Sequence, residues 1–252
     1  MESRFNSLLF DLDDTLYSCN IGIAEVVKKN TNDYLIEKCG FPESKATRIR
    51  DELFHSHGST FAGLRALGYD IDVGEYLKFG YLRVRVSGEF KGLTFCSNGY
   101  SSNSGNSDKV HATKVLKRLG LEDCFDQIIC FETLNPNLPN STRPDEFPIV
   151  LKPFVEAMKI ALQVSQVDPR RTLFLDDSVR NIAAGKAFDL WTCLVGKTVK
   201  TKEADYAMEN VNDLGQVIPE IWVNQTDGGD ERISRSISEL DTMLPAATPV
   251  RA

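Results

Sequence analysis

Short runs of uninterrupted apolar residues recur along the chain, separated by longer stretches whose apolar positions return every three or four residues. The runs at 8–10, 128–131, 173–175 and 192–195 do not alternate with polar residues, which is the pattern of strands covered on both faces. Between them, Val110, Val115, Leu116 and Leu119 share one helical face, with Gly120 as a stop. Phe154, Ala157, Met158 and Ala161 share another, with Pro153 suited to its first turn. Residues 179–187 form a third. Strand alternating with helix predicts an α/β fold, a Rossmann-like, doubly wound parallel sheet.

Residues 18–76 break that alternation. The segments 21–38, 42–55 and 59–67 read as helices with no strand among them. A helical block placed directly after the first strand predicts an inserted α-helical cap. The chain then divides into a catalytic core at 1–17 and 90–223, a cap at 18–89, and a polar tail at 224–252 with too little apolar content to fold.

Two of the apolar runs end in acid. The first leads into Asp11, Asp13 and Asp14, and the third into Asp176 and Asp177. In a parallel sheet both groups lie at carboxyl ends of strands, where open α/β sheets bind ligands. Carboxylates gathered away from water need a cation to offset their desolvation. Converging oxygens with room for water suit Mg²⁺. Asp residues capping two helices would be the simpler explanation for either motif alone; their pairing at two strand ends argues for a site.

Composition narrows the partners. The chain has 252 residues, 42% of them hydrophobic and 26% charged, as a soluble globular protein does. Lys and Arg number 29 against 36 Asp and Glu, a net charge of −7 that excludes nonspecific binding to a nucleic-acid polymer. A small phosphorylated substrate remains compatible. No stretch approaches the roughly 18 apolar residues of a membrane span, and Asp11 interrupts the apolar residues near the start. No membrane partner or secretion signal is expected, and the default location is the cytoplasm or nucleus. The six cysteines form no C-x-x-C pair, and Cys96, Cys130 and Cys193 lie in apolar runs as reduced, buried thiols would.

Asp11-x-Asp13-x-Thr15 together with Asp176-Asp177 resembles the haloacid dehalogenase-like hydrolase superfamily, and Lys152 matches the position of its phosphate-binding lysine. The segments 58–64, 108–121 and 131–136 resemble the pyrimidine 5′-nucleotidase-like branch of plants and fungi. The resemblance implies a Mg²⁺-dependent phosphomonoester hydrolase working through an aspartyl-phosphate. It implies Asp11 as nucleophile and Asp13 as general acid and then base. Thr15 would brace Asp13, and Thr15 and Lys152 would serve the phosphate. Asp176 and Asp177 would hold the metal together with Asp11 and the Asp13 carbonyl, with either of the pair as the direct ligand. A carboxylate two residues after the nucleophile favours phosphoester over carbon–halogen cleavage, because halide leaves without a proton. The implied substrate is a nucleoside 5′-monophosphate of the pyrimidine type.

The resemblance lapses between about 77 and 105. The family places a Ser or Thr, followed by Asn, at the end of the strand ahead of the Asp-Lys-x-His-Ala helix. Here that slot falls on Gly105 before Asn106, or on Ser97 and Asn98 at the end of a substitute strand at 92–98. In the second case residues 99–107 are an insertion, and Ser97 and Asn98 become the phosphate-binding candidates. A catalytically impaired relative with a binding role, and a sugar-phosphate phosphatase or phosphomutase, are the alternatives. His111 reads as a packing or capping residue. Asn181 reads as a tie between the second acidic loop and its helix. Arg83 and Arg85 read as charges on an exposed strand edge.

Overall fold

Uninterrupted apolar runs demand cover on both faces, and a sheet between helical layers supplies it. The computed structural model describes residues 4–81, 100–104, 108–138 and 148–222. Its strands are β1 (Ser7–Phe10), β2 (Tyr100–Ser104), β3 (Gln127–Ile129), β4 (Thr172–Asp176), β5 (Trp191–Val195) and β6 (Tyr206–Met208). They form one sheet in the order β3-β2-β1-β4-β5-β6, and every pairing is parallel. This is the doubly wound arrangement, and its direction reverses between β1 and β4. The α/β expectation holds.

Nine helices accompany the strands among the described residues. Four follow β1: α1 (Ile23–Glu37), α2 (Glu43–His57), α3 (Thr60–Ala66) and α4 (Val73–Tyr81). The others are α5 (Lys109–Leu119), α6 (Phe131–Leu134), α7 (Val155–Ser165), α8 (Val179–Lys186) and α9 (Leu214–Val217). Side chains alternate across β1 and β4, so the apolar runs split between two layers. Leu8, Phe10, Leu173 and Leu175 pack with Ala112, Val115 and Leu116 of α5. Leu9 and Phe174 face the other way, toward Met158 of α7 and Ile182 of α8. Each half of the run has its own helical cover.

Helix α5 starts where its sequence says it should. Asp108 caps it, accepting from the His111 backbone N–H at 2.6 Å, and Gly120 ends it at φ +68°. Helices α1–α4 hold a separate apolar cluster that includes Tyr34, Leu35, Leu53, Phe61 and Leu64. Phe131, Leu138 and Leu151, from the sheet side of the chain, complete the same cluster. No helix among the described residues is long and apolar enough to cross a membrane.

Four elements differ from the sequence expectation. Phe131 ends the second apolar run of the sequence but opens α6, because Cys130 caps that turn and its N–H donates to Thr133 Oγ1 at 3.3 Å. Helix α4 went unread because Gly74 and Gly80 interrupt its pattern, and the three-residue β6 because it is too short to show one. The strand beside β1 is Tyr100–Ser104, inside the segment assigned as an insertion. Its five residues carry one apolar side chain, so no hydrophobic run announces it. The proposed substitute strand at 92–98, Arg83, Arg85 and the 224–252 tail lie outside the described residues.

One close approach tests the packing. A Cβ on Gly185 of α8 would stand 2.7 Å from Phe174 Cδ1, in the middle of a fully buried ring. Gly185→Ala gains helix propensity but overpacks the β4–α8 contact. It is expected to destabilise the protein by about 1–3 kcal/mol in urea unfolding.

Candidate active site

The reversal of direction between β1 and β4 brings the two acidic motifs together. Phe10 pairs with Leu175, and Asp11 N–H donates to the Leu175 carbonyl at 2.8 Å. Asp11 and Asp176 therefore emerge side by side at the carboxyl edge. Asp11, Asp176 and Asp177 offer oxygens that all lie within 4.8 Å of one another.

Lys152 enters this cluster from the loop before α7. Its Nζ donates to Asp11 Oδ1 at 2.7 Å and to Asp176 Oδ2 at 2.8 Å, with all three side chains buried. Burial alone would lower the lysine pKa, but the pull of Asp11 and Asp176 outweighs it and keeps the ammonium charged. Burial raises the Asp11 pKa, with Asp176 and Asp177 adding to the rise and Lys152 opposing it. One cation thus faces three carboxyl groups.

The two motif-ending acids have different surroundings. Asp176 is saturated: Oδ1 accepts from the Ser178 N–H and from Asn181 Nδ2, each at 2.9 Å. Its Oδ2 takes Lys152 and a second contact from Asn181 at 3.1 Å. Asn181 thereby ties the loop to α8. The Asp177 carboxyl is held more loosely, with a hydrogen bond from its own backbone N–H. Burial, then Asp176 and Asp14, push its carboxyl up to about 6.

Thr15 is the first correction. Its hydroxyl donates to Asp11 Oδ2 at 3.1 Å, not to Asp13. The chain turns after Leu12, with the Leu16 N–H on the Leu12 carbonyl at 3.0 Å, so residue 15 returns over residue 11. Four-residue spacing in a turn brings side chains together where two-residue spacing separates them. Asp13 points elsewhere: its Oδ1 accepts from Tyr17 Oη and lies 2.7 Å from His111 Nε2.

His111, read from sequence as packing or capping, is the functional neighbour that sequence reasoning missed. Its backbone does lie on the Asp108 cap, but its ring reaches the Asp13 carboxylate across 98 residues of chain. Asp14, the third acid of the first motif, takes φ +61°, and its Oδ1 is buried without a partner among the described residues. Ser97 and Asn98 lie outside those residues. The strand that ends beside Asp11 finishes at Ser104.

A cavity of about 240 Å³ lies within the helical block, with Leu151, the chain neighbour of Lys152, in its wall. Phe54, Phe61 and Tyr76 line it, with Thr60 and Arg50.

Comparison with known proteins gives this arrangement a context. A family model for haloacid dehalogenase-like hydrolases matches residues 101–189. Phosphate metabolism protein 8 of Saccharomyces cerevisiae is 23% identical over 227 residues, 81% of this chain. The chain spans 63% of that protein's length. CbbY from Rhodobacter sphaeroides, solved in complex with phosphate, superposes with a TM-score of 0.57 at 16% identity, over 84% of this chain and 96% of that one. A HAD phosphatase from Thermococcus onnurineus gives 0.53 at 17% identity, over 84% and 97%. These likenesses are of fold. The family match covers the strand and loops that carry Lys152 and the Asp176–Asp177 pair, and the sheet sets Asp11 against them. Residues 101–189 of the chain thus match the haloacid dehalogenase-like hydrolase family, and the fold around them is the one its solved members share.

Proposed function

We propose that the protein is a Mg²⁺-dependent phosphomonoester hydrolase that forms a phosphoryl-enzyme on Asp11. The observation that carries this reading is the division of labour between two neighbouring carboxylates. Asp11 is buried, fixed by Lys152 and Thr15, and aimed into the acidic cluster. Asp13 keeps about a third of its side chain exposed and lies outside that cluster. A nucleophile needs the first setting and a proton carrier the second. A haloalkane would need only the first. The yeast relative named for phosphate metabolism fits the same reading.

The residues present suit a divalent cation. Three carboxyl groups gather around one lysine, and they offer oxygens that all lie within 4.8 Å of one another. With Asp176 already saturated, Asp177 and Asp11 are the ligands, joined by the Asp13 carbonyl. Bound there, Mg²⁺ would offset charge on the phosphoryl oxygens. Lys152 holds Asp11 in line and neutralises a further oxygen. Thr15 fixes the rotation of the Asp11 carboxyl.

Asp177→Asn and Asp176→Asn should separate these roles. Mg²⁺ at a hundredfold excess over its Kd should stabilise the wild type by about 2.7 kcal/mol in thermal unfolding. Asp177→Asn should lose that gain while folding normally without metal. Asp176→Asn should instead weaken the metal-free protein, since it removes acceptors from Lys152 and Ser178. The opposite pattern would assign the ligand to Asp176.

For substrate, we propose a nucleoside 5′-monophosphate with a pyrimidine base. The cavity beside Leu151 has aromatic walls suited to a flat ring, and Leu151 adjoins Lys152 in the chain. Phosphate release from uridine and cytidine 5′-monophosphates, beside hexose phosphates and a haloacid, tests the proposal. Faster turnover of a hexose phosphate would reassign the substrate, and halide release would overturn the reaction.

A further inference from the structure

The carboxylate proposed as acid and base is not free to turn. Tyr17, four residues beyond Asp13, donates its phenol to Asp13 Oδ1. His111 Nε2 lies 2.7 Å from the same oxygen. Tyr17 and His111 are 6% and 4% exposed, against 33% for the Asp13 side chain. The backbone of His111 is fixed in turn, because its main-chain N–H donates to Oδ1 of the buried Asp108 cap at 2.6 Å.

Both bonds fall on one oxygen. A carboxylate oxygen has two lone pairs and only accepts, so His111 must carry a hydrogen on Nε2 and Oδ1 is then filled. Among the described residues no hydrogen bond reaches Oδ2. A proton arriving at Asp13 has one oxygen left to occupy.

We propose that Tyr17 and His111 are positioning residues that clamp Asp13 by Oδ1 and make Oδ2 its working oxygen in both half-reactions. The proposal rests on the phosphomonoesterase reading above. In the first half, an Asp11 oxygen bonds to phosphorus as the bond from phosphorus to the substrate oxygen breaks. The departing oxygen takes the proton from Asp13 Oδ2. In the second, Oδ2 removes a proton from water, and the water oxygen bonds to phosphorus. The Asp11–phosphorus bond breaks, releasing inorganic phosphate and restoring both side chains. Without the clamp the carboxyl can rotate, and an oxygen displaced by about 1 Å costs on the order of a hundredfold in rate.

Two substrates expose this role. A nucleotide leaves as a basic alkoxide and needs the proton from Asp13, whereas p-nitrophenyl phosphate leaves as a stable phenolate and does not. The test uses the full chain with Mg²⁺, as wild type, Tyr17→Phe, His111→Met and His111→Gln. The first two variants should lose about 10- to 100-fold in steady-state kcat on uridine 5′-monophosphate, with KM within about twofold. Single-turnover release of nitrophenolate should stay within about threefold of wild type while its steady-state turnover falls, because only the water step is slowed. His111→Gln keeps an N–H donor at a similar reach and should recover most of the loss.

A structural role predicts something else: equal loss on both substrates in both phases, or loss through KM, with no rescue by Gln. Either result overturns the clamp. If wild type shows no turnover, or turnover survives Asp11→Asn, the hydrolase reading has failed and the clamp falls with it. Tyr17→Phe removes a single hydroxyl and gives an answer even if both His111 variants fail to fold.

Discussion

Asp11→Asn should abolish phosphate release, by about 10⁴-fold or more, and leave the protein at least as stable as before. The two halves of that expectation have one cause. Asp11 stands buried beside Asp176 and Asp177 with a single lysine among them, and its pKa is raised. Its charge is therefore costly to hold in the metal-free fold, and an amide of the same shape removes it. Lys152 keeps Asp176 as partner at 2.8 Å, and Thr15 Oγ1 keeps an acceptor. What is lost is the oxygen proposed to bond to phosphorus. Acid-quenched wild type should carry phosphate on the protein during turnover, and the variant none. A thermal scan without metal supplies the second half; a clear fall in melting temperature would show that the carboxylate supports the fold more than it burdens it.

Lys152→Met should fail in both respects. The substitution keeps most of the stem but removes the ammonium that two buried carboxylates share. Breaking a buried pair by deleting one partner costs about 3–5 kcal/mol. Against a typical stability of roughly 5–15 kcal/mol, that is a large fraction. Urea unfolding should show it as a lower midpoint with little change in slope. Adding Asp11→Asn to Lys152→Met should recover part of the loss, because the double variant leaves one orphaned carboxylate instead of two. Strict additivity of the two changes would mean that the lysine does not act through Asp11.

The acidic pairs were legible in the sequence because each follows an apolar run directly. Charge straight after a buried strand has few explanations, and the parallel sheet brings two such ends together. Lys152 was legible only through a family resemblance, since a lone lysine before a proline carries no signal of its own. The partner of Thr15 was misread because a two-residue offset suggests contact in an extended chain, and this stretch is a turn. His111 was invisible for a different reason. Nothing local distinguishes a histidine on the apolar side of a helix from one that reaches a carboxylate on another strand. Only the pairing of β1 with β2, which seats α5 over the first loop, brings it to Asp13. That strand was itself hidden, because its five residues carry one apolar side chain and a strand read by hydrophobicity needs more. Ser97, Asn98 and Gly105 fall outside the described residues.

The apolar cluster of α1–α4 is finished by Phe131, Leu138 and Leu151, which the chain reaches only after returning to the sheet. Adjacent residues thus belong to different interiors: Leu151 is packed with the inserted helices, and Lys152 is bound to the carboxylates of the sheet. The helical insertion is therefore not a separable module resting on a finished enzyme. Excising it would strip Leu151 and Phe131 of their neighbours and leave an exposed apolar surface one peptide bond from Lys152. Evolution could graft new helices onto this scaffold only by preserving that seam, so variation in the insertion should be free on its outer surface and constrained wherever it meets these three residues.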